Sequence, residues 1–146
     1  MIFIFDENFS PRMTRGLSLL EEGNNSSDFG NAEVWHILDL AEHLNFPKSE
    51  QTGSYSDKEV IKIAGQKSGI IFTQDSDFKR HKHYFPLYKE NNVGVVFYNE
   101  SKLIRGYWPL LIYTIKKWED IKEKISVTAV PFCFALTRTG IEQRFP

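Results

Sequence analysis

Hydrophobic residues in this chain fall into short unbroken runs, separated by stretches in which they recur every three or four positions. Ile2 to Phe5 has no polar alternation, as expected of a strand covered on both faces. Ser10 as cap and Pro11 at the first position open a helix, with Met13, Leu17 and Leu20 as its expected buried stripe and Gly23 as its end. Gly23 to Asn31 reads as a polar loop. Ala32 to Leu38 reads as a second strand, but the periodicity turns helical through Leu44, so strand and helix do not separate cleanly there. Asn45 to Tyr55 reads as a long exposed connection. Ser56 and Glu59 form a capping box for a helix that buries Val60, Ile63 and Ala64 and ends at Gly69. The apolar run Ile70-Ile71-Phe72 then passes into Thr73 and two acids. Val93 to Tyr98 is a further strand after an Asn91-Asn92 turn. Ser101 to Ile125 is helical, with Leu111, Ile115, Trp118, Ile121 and Ile125 as its stripe and Pro109 starting or kinking it. Val127 to Leu136 is the last long strand, placed at an edge by Pro131, and Thr137 to Pro146 adds a hairpin arm around Thr139-Gly140.

The resulting order, β-α-β-loop-α-β-β-α-β, predicts an α/β fold: a three-layer α/β/α sandwich with a mostly parallel central sheet, residues 1–146 forming one domain. The 146 residues, 41% hydrophobic and 14% aromatic, suffice for one core. Cys133 is the single cysteine, which excludes an internal disulfide or a cysteine-based zinc site and reads as a buried thiol. A net charge of −1 decides little about partners, because acids gathered in one pocket offset basic residues elsewhere. No run approaches the roughly 20 apolar residues of a membrane span. Acids interrupt the first apolar run at Asp6 and Glu7, so a cytoplasmic protein with no membrane partner is expected.

The acids carry the chemistry. Asp6 and Glu7 follow one buried strand, and Asp75 and Asp77 follow another. In a parallel sheet both sets lie at the carboxyl edge, where ligands bind. Helix starts share that edge, so Asp57 faces it too. Carboxylates crowded in one pocket raise one another's pKa, and a hard cation such as Mg2+ or Mn2+ removes the conflict. One or two such ions activate water and stabilise a leaving oxygen in phosphodiester cleavage. Local structure offers rival roles: Asp57 and Glu59 suit a helix start, and Asp77 suits a turn cap. The basic cluster Lys79-Arg80-His81-Lys82-His83 is either a solvated loop or a grip on a phosphate backbone, with Tyr84 and Phe85 available to stack on bases. Its histidines are alternative metal ligands. Arg12 and Arg15, near Asp6, either reach a phosphate or face solvent.

The stretch Phe5-Asp6-Glu7-Asn8-Phe9-Ser10-Pro11-Arg12 resembles the opening of the small PIN-like proteins. Ser56-Asp57-Lys58-Glu59-Val60, then Ala64, Gly69 and Ile70-Ile71-Phe72-Thr73-Gln74-Asp75-Ser76-Asp77-Phe78, resembles their second signature. The resemblance covers about residues 1–20 and 56–98. The connections Gly23 to Asn31 and Asn45 to Tyr55 look longer than the family pattern, and the part from Ser101 on is not matched. The resemblance implies a PIN-type fold and a Mg2+- or Mn2+-dependent ribonuclease, the toxin of a toxin–antitoxin pair similar to VapC toxins. It makes Asp6, Asp57, Asp75 and Asp77 the metal-binding and catalytic acids, with Glu7 a weaker ligand and Asn8, Thr73 and Glu59 supporting. Arg12, Lys79, Arg80 and Lys82 are the expected RNA contacts; RNA, a neighbour-encoded antitoxin and a second copy of the chain are the expected partners. Three other readings remain open at this point: an inactive PIN-like interaction module, a Toprim-type domain, and a phosphoacceptor receiver domain, for which Asp39 and Lys102 are poor fits.

Overall fold

A computed structural model describes residues 1–48, 53–99 and 106–145. The apolar runs become strands β1 (Ile2–Phe5), β2 (Glu33–His36), β3 (Ile70–Thr73), β4 (Gly94–Tyr98), β5 (Phe132–Leu136) and β6 (Ile141–Phe145). The periodic stretches become helices α1 (Pro11–Glu22), α2 (Ile37–His43), α3 (Asp57–Gly65), α4 (His81–Asn91) and α5 (Tyr107–Ser126). A 3-10 turn, Ser76–Lys79, precedes α4. The strands form one sheet in the order β2-β1-β3-β4-β5-β6. The first five pair in parallel and β6 runs antiparallel to β5.

Alternation along the strands divides the core into two layers. Phe3, Phe5, Phe72, Val96 and Phe134 face α1 and α5, with Met13, Leu17 and Trp118 packed on them. Ile4, Ile71, Val95 and Cys133 face the other layer, built from Ile37, Val60, Ile61, Ile63 and Tyr88 of α2, α3 and α4. The expected three-layer α/β/α fold with its mostly parallel sheet is what the chain adopts. Cys133 is fully buried, and burial pushes its thiol up to about 12.

Several local expectations are corrected. The basic cluster does not lie in a loop: Lys79 ends the 3-10 turn and residues 81–83 open α4. A helix was masked in the sequence by Pro86, which sits inside α4. It has to be there, because adjacent parallel strands such as β3 and β4 need a crossover of a dozen residues or so. The α1 stripe runs through Met13, Thr14, Leu17 and Glu21, leaving Leu20 exposed. Ser10 stands at the N-cap without a side-chain cap bond. In α5 the buried positions are Leu110, Thr114, Trp118, Ile121, Lys122 and Ile125, so Ile115 faces solvent. Pro109 lies in the first turn of that helix. The preceding stretch from Ser101 lies outside the described residues. α3 ends at Gly65 rather than Gly69. Pro131 precedes β5 and withholds no ladder donor from it; β5 is internal, and the edge belongs to the hairpin strand β6. Gly94 is paired across β4–β5 with Phe132, and a Cβ at Gly94 would lie 2.4 Å from the Phe132 ring. The Asn45 to Tyr55 connection is not wholly exposed: Tyr55 is buried against Phe46 and donates its hydroxyl to the Phe46 carbonyl.

The two polar members of these stripes meet beneath the loop after α1. Glu21 and Lys122 are both buried, with Lys122 Nζ 2.8 Å from Glu21 Oε1. The indole N–H of Trp118 donates to Glu21 Oε1 at 2.5 Å, and the Ala32 amide donates to Oε2 at 2.6 Å. Ser27 Oγ accepts from Lys122 and donates to Glu119, which ties down the polar loop. Removing one charge of a buried pair strands the other, at a cost of about 3–5 kcal/mol. Glu21→Ala is therefore expected to lower the urea unfolding free energy by that order, whereas a double replacement by Met at Glu21 and Lys122 costs much less. Equal losses in the two proteins would contradict this account.

Candidate metal centre

The strand order places a topological switch point between β1 and β3. The chain leaves β1 towards β2 on one side, and β3 continues the sheet on the other. A crevice opens outside the carboxyl ends of strands at such a point. Asp6 and Asp75 emerge into it from β1 and β3, and Asp57 joins them as the first residue of α3, held by a complete capping box. Ser56 Oγ accepts from the Glu59 amide, and Glu59 Oε2 accepts from the Ser56 amide at 2.7 Å. Glu59 thus supports the start of the helix and does not line the pocket.

Among the described residues, Asp57, Asp75 and Asp77 each bring a carboxylate oxygen within 4.8 Å of the others. A pocket of about 180 Å3 beside them is lined by Asp6, Glu7, Asn8, Tyr55, Asp57 and Asp75, among others. Asp6 therefore borders the triad without entering it. Its carboxylate accepts from the Asn8 amide at 3.0 Å and is hydrogen-bonded by Thr73. Thr73 is fully buried, and its hydroxyl accepts from the Asp75 amide at 2.9 Å. One hydroxyl thus sets both Asp6 and the turn that carries Asp75. Asp75 in turn caps the 3-10 turn by accepting from the Asp77 amide at 2.9 Å. Glu7 is exposed and holds the pocket rim, its Oε1 accepting from the Tyr55 amide at 2.7 Å.

Two partners of this site are not legible as such in the sequence. Tyr84 stacks on Phe78 and on Tyr88, and its hydroxyl donates to Asp57 Oδ2 at 2.7 Å. Burial, then the bond to Asp57, pushes its phenol up to about 12, so it stays a donor. Phe85 packs edge-on against Phe145. His36, buried at the N-cap of α2, accepts from the Leu38 amide at Nδ1, so Nε2 carries the proton and donates to the Phe9 carbonyl at 3.1 Å. That bond fixes the loop behind Asp6, and burial lowers the pKa of the ring. The helical spacing of Tyr84 and Tyr88 was the available signal for the first; for His36 there was none.

The basic residues disperse. Arg80 Nη2 pairs with Asp77 Oδ1 at 2.9 Å. Lys79 Nζ lies over the Phe97 ring, 5.0 Å from its centroid. Lys82 is exposed on the first turn of α4, and Arg12 is exposed on the first turn of α1. Arg15 does not point to the acids but makes a two-pronged bond to Asp39, at 2.8 and 3.1 Å. That pairing also occupies the acid a receiver-type phosphoacceptor would need.

The electrostatics favour a cation. Burial raises the Asp6 carboxyl to about 6, opposed by its bonds to Thr73 and Asn8 and aided by the charge of Asp75. Burial also raises Asp57, with Asp75 and Asp77 adding to the effect. A donor set made only of carboxylate oxygens suits hard divalent ions. The arrangement defines a class: a three-layer α/β protein with an acidic cup at the switch point of its sheet, capable of holding a divalent cation and consistent in general with a nuclease-type site.

A model of the PIN-like domain family matches residues 1–100, and the chain belongs to that family. No curated protein and no solved structure matches it. The match stops before α5, β5 and β6, yet β5 and β6 continue the same sheet. No helix among the described residues is long and apolar enough to cross a membrane.

Because the carboxyl of Asp6 is raised from 3.8 to about 6 on folding, the native state holds a proton that the unfolded chain releases between those values. Stability contributed by this group is present below pH 3.8 and falls as pH rises towards 6, by roughly 3 kcal/mol in all. Asp6→Asn is expected to match the wild type in stability near pH 4 and to exceed it increasingly up to about pH 6, then by a constant margin. Urea titrations of both proteins across that window check this; a margin that does not change with pH would refute it.

Proposed function

We propose that this protein is a divalent-cation-dependent endoribonuclease acting on single-stranded RNA. The observation that carries the reading is the meeting of Asp57, Asp75 and Asp77 within 4.8 Å at the carboxyl edge of the sheet, in a chain of the PIN-like family. Mg2+ or Mn2+, when bound, supplies Lewis acidity towards a phosphodiester oxygen and acidifies water. The chain's own part is positional. Asp57, Asp75 and Asp77 offer the ligand oxygens, and Asp6 a further one from the pocket wall. Glu7 closes the rim. Asn8 and Thr73 orient Asp6, and Thr73 also orients Asp75. Arg12, Lys79, Arg80 and Lys82 supply positive charge for the RNA backbone, a contact without sequence readout.

The biological role proposed with this activity is that of the toxin in a toxin–antitoxin pair working in the cytoplasm, with a neighbour-encoded antitoxin and a second copy of the chain as partners. Its support is the motif resemblance at residues 5–12 and 56–78.

Cleavage of a labelled single-stranded RNA with Mn2+ or Mg2+, against EDTA, tests the activity. Asp6→Asn/Asp75→Asn is expected to abolish cutting while remaining folded, and Thr73→Val to cost about 10–100-fold in metal affinity or rate, as expected for removing an orienting bond. Calorimetric titration with Mn2+ on the same samples separates a narrow RNA preference from a dead site. Absence of both binding and cleavage would leave an interaction module. Induced expression in bacteria is expected to arrest growth with the wild type and not with Asp75→Asn.

A further inference from the structure

A second cleft, about 340 Å3, opens between the N-terminal parts of α3 and α4. It is lined by Lys58, Arg80, His83, Tyr84 and Leu87. Three of these five are bases, and among the described residues no acid lines the cleft. Three of the five lining residues are tied to an acid of the triad. Lys58 follows Asp57 on the first turn of α3, Arg80 pairs with Asp77, and the Tyr84 hydroxyl donates to Asp57. The basic cleft and the acidic cup have no lining residue in common among the described residues, but these contacts join them.

We propose that this cleft is a phosphate subsite for a single-stranded nucleic acid, seating the phosphodiester next to the one that lies over the acidic cup. The assignment rests on the proposed nuclease reading for the position of that first phosphate. A strand crossing the cup presents its negative charge to carboxylates, so affinity has to come from cations beside them. Lys58 and Arg80 supply it as fixed charges and His83 as a hydrogen-bond donor. The Arg80–Asp77 pair is half-exposed and weak, so the guanidinium can turn from the carboxylate to a phosphate at little cost. A guanidinium grips a phosphate through two parallel N–H groups. Lys79, by contrast, lies over the Phe97 ring and does not line the cleft. The expected ranking of phosphate contacts thus changes: Lys58, which the basic run 79–83 did not include, stands beside Arg80 and ahead of Lys79.

The test is binding of a short labelled single-stranded RNA in EDTA, where cleavage does not interfere, followed by fluorescence anisotropy over a range of salt. Wild type is expected to bind. Lys58→Ala and Arg80→Ala are each expected to weaken binding several-fold and to reduce the salt slope by roughly 0.7, the value for one phosphate contact on a single strand. Lys58→Arg and Arg80→Lys should keep the slope, which separates lost charge from lost fold. Lys116→Ala, on the distant α5, should leave affinity and slope unchanged. Inorganic phosphate alone should give no heat in calorimetry. The proposal is overturned if wild type does not bind, if Lys116→Ala weakens binding as much as Lys58→Ala, or if phosphate binds while RNA affinity ignores the cleft variants. Manganese-dependent cleavage is assayed separately. Cleft-dependent RNA binding with neither cleavage nor calorimetric Mn2+ binding sinks the nuclease reading and keeps the subsite; cleavage with cleft-independent binding does the reverse.

Discussion

The parallel pairing of β1 with β3 is the constraint from which the site follows. The two strands run side by side from Phe3–Ile70 to Phe5–Phe72, so both leave the sheet at the same level and the same edge. The Asp6 amide still reaches across to the Phe72 carbonyl at 3.0 Å. Because the connections from these strands depart in opposite directions, nothing in the sheet itself fills the space above them, and the acids inherit it. A one-residue slip of either strand would turn Asp6 or Asp75 away from its neighbour and would also drive Phe3, Phe5 or Phe72 into the wrong layer. Core packing and site geometry are thus set by the same register.

Around this edge the polar groups form a continuous set of bonds rather than a loose cluster. Thr73 joins Asp6 to Asp75, Asp75 holds Asp77, Tyr84 holds Asp57, and Glu7 holds the Tyr55 segment. Each bond fixes a carboxylate without neutralising it. Arg80 offers the cup one exposed positive group, through Asp77. The result is an arrangement that is rigid and electrostatically unsatisfied, visible in the raised carboxyls of Asp6 and Asp57. Fixed geometry with unbalanced charge is what a binding site for a hard cation requires.

The far side of the molecule solves the opposite problem. Glu21 and Lys122 are buried as charges, but there each is matched: the carboxylate by an ammonium, an indole and an amide, the ammonium by Glu21, Ser27 and Glu119. This lock joins α1 to α5, and so joins the region of the family match to the part of the chain beyond it. The same residue types serve opposite ends: charge balanced internally secures the fold, and charge left unbalanced at the sheet edge is available to a ligand.

Much of this was written in local sequence. Unbroken apolar runs specified strands covered on both sides, Ser56 with Glu59 specified the start of α3, and acids within three residues of the ends of two such runs specified a shared edge. Those features depend on neighbours within a few residues, which is why they could be read. Tertiary structure alone decided which face of a helix counts as inside. Leu20 and Ile115 satisfied the periodicity yet face water, while Glu21 and Lys122 broke it and are buried, because their partners lie about a hundred positions apart in the chain. It alone revealed α4 behind Pro86, required by the geometry of a parallel crossover rather than by helix propensity. It also made Tyr84 a support for Asp57. The physical reason is that an ion pair, a hydrogen bond or a crossover across the fold overrides the local preference, and no local pattern encodes its other half.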